Sequence, residues 1–493
     1  MTEHLTNYYK LMKTEQKNYT LPIIVMFALF FMIAFVTNFA GSMGVIVKNQ
    51  FHASNALSQL GTLANFIAYA CMGIPAGIIL KRKGYKFTSL AAVTVGFVGV
   101  GIQFLSGYVE SFGVYVLGAF VAGFSMCMLN IVVNPMLNTL GGGGNKGNQL
   151  IQFGGSCNSI GGTIAPVLLG YLIGGSAETA TVSDAAPAMI IAMAIFALAA
   201  VIIGLVRIPE PHIETAEERA ARKAGNKVKD KYGPLSFRHF VLGAVAIFFY
   251  VGIEVGIPNI ANLYMTTPTV ESAQKLVADY EFQHDPANAE FLARIEAEDK
   301  ANADNEDYTP QVVAESSYEK AQGVLDGSVK EGRGLTAKLA GVLIGIYWFL
   351  MMCGRLIGGA IGGRVSSRRM LAVVSSMAMI FVLCIMFIPR SAVVEIPFIE
   401  GVVPVNMVFM VLCGLCTSVM WGGIFNLAAE GLGKYTPAAS GIFMTLVCGG
   451  GILPFLQGGI ADMAGYMTSY WLVFGCLCYL LFYALAGSKN VNK

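Results

Sequence analysis

The chain has 493 residues, 55% hydrophobic and only 13% charged, with a formal net charge of +2. Ordinary globular domains carry roughly 25% charged residues, so this chain has too few polar side chains to face water all round, and lipid must cover part of it. The near-neutral balance excludes a basic surface for nucleic acid, and five histidines without ligand spacing give metal chemistry no footing.

A polar stretch, 1–20, precedes an apolar run that is too long for a secretory signal core and long enough to cross a bilayer. At about 20 apolar residues per crossing, twelve spans are predicted, near 21–47, 58–80, 87–107, 113–138, 149–173, 186–207, 239–264, 336–361, 369–389, 404–427, 438–460 and 467–487. The expected fold is an all-α integral membrane protein. It comprises an N-terminal six-helix bundle (21–207), a charged linker (208–238), a C-terminal six-helix bundle (239–487) that contains an acidic insert (266–335), and a short tail (488–493).

Lys and Arg in the short loops set the orientation. Lys10, Lys13 and Lys17 precede span one, and Lys81, Arg82, Lys83 and Lys86 follow span two. Six more basic residues lie between Arg219 and Lys231, and Arg364, Arg368 and Arg369 follow span eight. Both termini and the linker are therefore expected in the cytoplasm and the insert outside. Helical spacing at Leu276 and Tyr280, and at Phe291 and Ile295, predicts a small helical cap within the insert. All ten cysteines fall in apolar stretches, so no disulfide framework is expected, and the Cys413/Cys416 pair reads as buried packing rather than a redox motif.

The two halves repeat. Gly77-Ile-Ile-Leu-Lys81-Arg82-Lys83-Gly84-Tyr85-Lys86 after span two parallels Gly359-Ala-Ile-Gly-Gly363-Arg364-Val365-Ser366-Ser367-Arg368 after span eight. Gly161-Gly162-Thr-Ile-Ala-Pro166 and Gly170 in span five parallel Gly449-Gly450-Gly451-Ile-Leu-Pro454 and Gly458 in span eleven. Such parallel repeats define one class of secondary transporter, in which two halves rock about a central site.

The doubled basic loop and the six-plus-six layout resemble the major facilitator superfamily, although Lys81 and Gly363 stand where that family usually has an acid. A narrower resemblance rests on an ordered set of motifs: Ala28-Leu29-Phe30-Phe31, Asn130-Ile-Val-Val-Asn134-Pro135, Asn158-Ser159-Ile160-Gly161, Tyr250-Val251-Gly252-Ile253-Glu254-Val255, Gly449-Gly450-Gly451 and Ala461-Asp462-Met463-Ala464-Gly465. Together they are similar to the fucose/galactose/glucose symporter family. The resemblance implies uptake of a hexose such as glucose or galactose, coupled to a cation, by a monomer in a bacterial inner membrane, with no cofactor and no nucleic-acid partner. Fucose-specific members carry Glu where Asn130 stands and Asp where Gly41 aligns. Their proton relay is therefore not expected here, which leaves sodium or another proton route as the coupling ion, or plain facilitation.

An ionisable residue inside a bilayer is by default a functional candidate, and Glu254 stands out as deep within span seven. It reads as a cation-coupling site, as a partner for a sugar hydroxyl, or as a structural acid. Asn262 lies eight residues on, beyond Pro258, and is assigned to the same face. In span four Asn130, Asn134 and Asn138 form a single polar stripe, and in span five Gln149, Gln152, Ser156 and Ser159 form another, with Asn158 beside it. Amides facing lipid would lose their hydrogen bonds, so these stripes face a cavity or a neighbouring helix. Amides also donate and accept together, as hydroxyl-rich ligands require. Trp348 and Trp421, with Asn426 following, are candidates for stacking on a sugar ring. Tyr69 and Phe66 read as packing, and Trp471 as an interface anchor. The alternative cargo on the same fold is an amino sugar, nucleoside or drug. A receptor or enzyme lacks support, because no nucleophile with a base and no phosphate loop is visible.

Overall fold

In the computed structural model, the described residues are 19–51, 54–141, 144–172, 181–210, 233–302, 311–361, 365–397, 399, 401–432 and 436–489. They are almost wholly helical. Ten helices are long and apolar enough to cross a membrane. One of them, Leu60–Val109, is two crossings bent at Gly84, whose φ of 86° is open to glycine without strain. The span-five helix, Gly144–Leu172, is 29 residues long but less apolar than these, because it carries many amides and glycines. Counting both, twelve spans are accounted for, as expected.

Spans one and four are Thr20–Ser42, continued by Gly44–Gln50, and Phe112–Leu140. Span six is Ala186–Leu205, span seven Arg238–Thr266, span eight Ala337–Ile361 and span nine Ser367–Phe387. Two predicted spans are broken. Span ten is Val405–Thr417 and Met420–Ala429, and span eleven is Thr436–Leu446 and Gly449–Ala464. Span twelve is Tyr466–Phe482. Mid-membrane breaks persist where the freed carbonyls are buried in protein or line a cavity. A short antiparallel hairpin, Val393–Glu395 with Val402–Pro404, links spans nine and ten.

The turn at Gly84 is fixed by Glu210, at the end of span six. Its carboxylate accepts from the backbone N–H groups of Tyr85 and Lys86, the latter at 2.9 Å. Lys86 Nζ in turn donates to the carbonyls of Gly204 and Val206, at 2.7 and 3.1 Å. Gly363 and Arg364 of the second basic loop lie outside the described residues.

Among its described residues the insert forms three α-helices, Val270–Gln283, Ala289–Ala301 and Glu315–Leu325. The first and third close a small core of Ala273, Ala321 and Val324. Thr269 and Ser272 form a capping box at the first helix. The returning segment is zipped to the end of span seven: Arg333 N–H donates to the Tyr264 carbonyl, Gly334 to Thr267 and Leu335 to Met265, at 2.7–2.9 Å. The insert is thus seated at its base rather than tethered by a loose loop.

The first and last six spans meet tightly on the insert side. Spans five and eight cross at small residues: a Cβ on Gly341 would lie 2.7 Å from the Pro166 carbonyl oxygen. Spans two and eleven meet where a Cβ on Gly458 would lie 2.7 Å from the Asn55 carbonyl oxygen. Small residues of this kind let membrane helices approach backbone to backbone.

Candidate functional site

Between the two sets of spans lies a cavity of about 130 Å³, several times the 10–15 Å³ or so that one water needs. Its wall brings together seven of the nine residues singled out by sequence: Asn130, Asn134, Gln152, Asn158, Glu254, Trp348 and Trp421. Spans four and five supply the amides, span seven the acid, and spans eight and ten the indoles.

The amides are held by their own donors. Asn130 Nδ2 donates to Tyr69 Oη at 3.0 Å and to the Met126 carbonyl at 3.1 Å, and Asn134 Nδ2 donates to the Asn130 carbonyl at 2.9 Å. Asn158 Nδ2 donates to the Phe30 carbonyl at 3.0 Å. Among the described residues, the Asn130 and Asn134 side-chain oxygens therefore remain as acceptors at the cavity. Trp348 is 5% exposed, its indole packed where Gly162 has no Cβ; one there would lie 2.9 Å from the ring. Trp421 is set edge-on to Phe443, with ring centroids 5.9 Å apart at 82°.

The reading of Glu254 as the deep charge is incomplete, because Arg355 in span eight is buried beside it. Arg355 Nη2 lies 3.1 Å from Glu254 Oε1, with the two side chains 9% and 12% exposed. The guanidinium also crosses to span five, where Nη1 donates to the Gly155 carbonyl at 2.6 Å, Ser159 Oγ at 2.9 Å and Asn158 Oδ1 at 3.4 Å. One side chain thus joins the acid of span seven to the polar face of span five. Tyr347, fully buried, donates its hydroxyl to the Glu254 backbone carbonyl at 3.1 Å and so steadies that turn from behind.

Two assignments are corrected. Asn262 is not on this cavity; it lines a separate, much smaller one with Ser42, Pro166, Thr266 and Gly341. It shares a face with Glu254, but eight residues of helix carry it about 12 Å toward the insert side. Asn426 is exposed and lines neither cavity. It sits five residues past Trp421, and at about 100° per residue that turns it roughly 140° away from the indole. Tyr69 and Phe66, read as packing, are cavity lining, and Tyr69 anchors Asn130. The Asn138 side chain lies outside the described residues.

Sequence reasoning also missed Asn38 and Asn259, both on the cavity wall. Asn259 fills the space beside Gly41: a Cβ on Gly41 would lie 2.7 Å from Asn259 Oδ1, and Asn259 Nδ2 donates to Gln59 Oε1 at 3.1 Å. Neither belongs to a polar stripe of the kind that marks Asn130, Asn134 and Gln152. The polar pair Thr37-Asn38 inside an otherwise apolar span was the available clue.

A bundle of twelve spans around a central cavity lined by amides and a buried ion pair defines a multi-pass membrane transporter. Residues 25–277 match the model of the Major Facilitator Superfamily, and the chain belongs to that family. It is 26% identical to the glucose/galactose transporter of Brucella abortus, over 97% of this chain and 96% of that one. It is 21% identical to the L-fucose-proton symporter of Escherichia coli, over 97% and 94%. A crystal structure of the E. coli fucose:proton symporter FucP superposes with a TM-score of 0.59 at 19% identity, covering 96% of this chain and 100% of that one, which establishes the shared fold.

Proposed function

We propose that the protein takes up a hexose, glucose or galactose, by alternating access, coupled to a cation through the Glu254–Arg355 pair. The observation that carries this reading is the cavity itself: half-buried amides with free acceptor oxygens, two indoles and a buried ion pair, all between the two halves. Its size suits a molecule of about a dozen heavy atoms, well beyond a few waters at 10–15 Å³ or so each. Asn130, Asn134, Gln152 and Asn158 would bind hydroxyls, and Trp348 and Trp421 would take the apolar face of the ring. The similarity to named glucose/galactose transporters supports the sugar.

Coupling follows from competition. Arg355 pairs with Glu254 while also holding span five. A proton or sodium ion on the carboxylate would weaken the first contact and free the guanidinium to meet substrate or to release span five. The proton is the coupling ion in the similar L-fucose-proton symporter, and the carboxylate accommodates either ion. The rocking halves are 21–207 and 239–487, joined by the linker 208–238. The basic loops support a cytoplasmic linker and termini, in a bacterial inner membrane, with the insert outside.

Proteoliposomes carrying the purified protein test this. Labelled glucose, galactose and fucose uptake would be measured under imposed proton or sodium gradients, for the native chain and Glu254→Gln. Saturable hexose uptake, accelerated by one gradient and no longer so in Glu254→Gln, is the expected result. Uptake indifferent to both gradients would remove the coupling role, and no uptake of any hexose would remove the sugar.

A further inference from the structure

On the insert side, outside the cavity, a carboxylate of span eleven reaches across to the other half. Asp462 Oδ1 accepts from the backbone N–H of Asn55 at 2.9 Å, and Oδ2 accepts from that of Ala56 at 2.9 Å. Four residues on, Tyr466 donates its hydroxyl to Asn55 Oδ1 at 2.9 Å and lies 2.9 Å from Thr267 Oγ1 at the end of span seven. Gly458, one turn before Asp462, lets the two backbones close to contact. In each of these contacts with Asn55 and Ala56, the N-terminal group belongs to the turn that opens span two, and its partner belongs to the C-terminal half.

We infer that Asp462 is a latch, a positioning residue that holds the insert side of the transporter shut. Both carboxylate oxygens are engaged by amides that cannot follow when the halves rock apart. Separation exchanges two charge-assisted bonds for hydration, so the latch stabilises the closed arrangement selectively. Hydrogen bonds of this kind are individually worth enough to move a two-state ratio by roughly tenfold to a hundredfold. At the basic loop on the opposite side, the Glu210 carboxylate binds backbone of the same half. The latch thus biases the resting population toward closure at the insert. The inference concerns the gate of a superfamily transporter and holds whatever the cargo is.

The test is a distance measurement across the latch. Leu57 and Met463, 45% and 77% exposed, flank it on opposite halves. Spin labels carried there on a ketone-bearing unnatural residue leave the ten native cysteines in place. Double electron–electron resonance on the detergent-purified full chain should give one short distance for the native sequence. Asp462→Ala should add a longer component, raising the open-to-closed ratio about tenfold or more, and Tyr466→Phe should move it in the same direction by less. Superimposable distributions for the native chain and both variants would overturn the latch. If Asp462→Ala does not survive purification, Asp462→Asn, which keeps the shape and one acceptor, and Tyr466→Phe decide the matter on the same criterion.

Discussion

Removing the charge of Arg355 is the most informative perturbation of the cavity. Arg355→Leu leaves Glu254, itself 12% exposed, without the cation 3.1 Å away. Orphaning one member of a buried pair costs about 3–5 kcal/mol. Arg355→Leu also deletes the bonds to the Gly155 carbonyl and Ser159 Oγ, and bonds from a charged donor contribute about 1.5–3 kcal/mol each. Glu254→Leu alone should be of similar severity, because it strands the guanidinium. The double variant should recover most of the pair's share, since two apolar side chains bury no unpaired charge, while the loss at span five remains. Thermal midpoints of the native chain, both single variants and the double, each purified in the same detergent, supply the cycle. The double should be less damaged than the sum of the singles by about 2 kcal/mol or more. Strict additivity would mean that Arg355 acts only through span five, and the coupling role given to the pair would fall with it.

Four further outcomes follow from the geometry. Asn130→Leu removes a cavity acceptor and orphans the Tyr69 hydroxyl, so hexose kcat/KM in proteoliposomes should drop roughly fivefold to a hundredfold; unchanged kinetics would take span four out of the site. Asn262→Ala and Asn426→Ala, off the cavity, should leave KM within about twofold, well under the cost of a lost polar contact. Gly162→Ala places a methyl 2.9 Å from the Trp348 ring and should depress transport at a cost of about 1–3 kcal/mol. Gly77→Ala, where nothing lies within 4 Å, is the matched control and should leave the thermal midpoint unchanged or raise it, by up to about 1 kcal/mol of helix propensity.

What the sequence disclosed and what it hid divide along physical lines. Spans are legible because lipid demands apolar length, and span five, rich in amides and glycines, is the weaker signal. Asn130, Asn134, Gln152 and Asn158 were legible because a polar stripe in an apolar helix has a phase. Asn262 and Asn426 failed for opposite reasons: the first has the right phase at the wrong depth, the second a nearby depth at the wrong phase. Arg355 was overlooked, although an arginine between Gly354 and Leu356 inside an apolar run is itself a signal. Its partners, 101 and 200 residues away, are beyond any local pattern. So is the Asp462 contact with Asn55, which spans 407 residues.

The position of the charges bears on mechanism. Where the family resemblance places acids in the N-terminal half, this chain has Gly41 and Asn130. The space beside Gly41 is filled by Asn259 from span seven, an amide bonded to Gln59 of the opposite half. The deep acid and base of the cavity, Glu254 and Arg355, both belong to the C-terminal half, yet Arg355 spends its second nitrogen on carbonyl and hydroxyl oxygens of span five. A charge change at Glu254 is therefore felt across the interface without an acid on the far side. The proposed coupling would depend on a guanidinium shared between a carboxylate and a backbone carbonyl. On that proposal an ion at Glu254 would act on the grip between the halves rather than on a relay of carboxylates, and the double variant measures how firmly that grip depends on the pair.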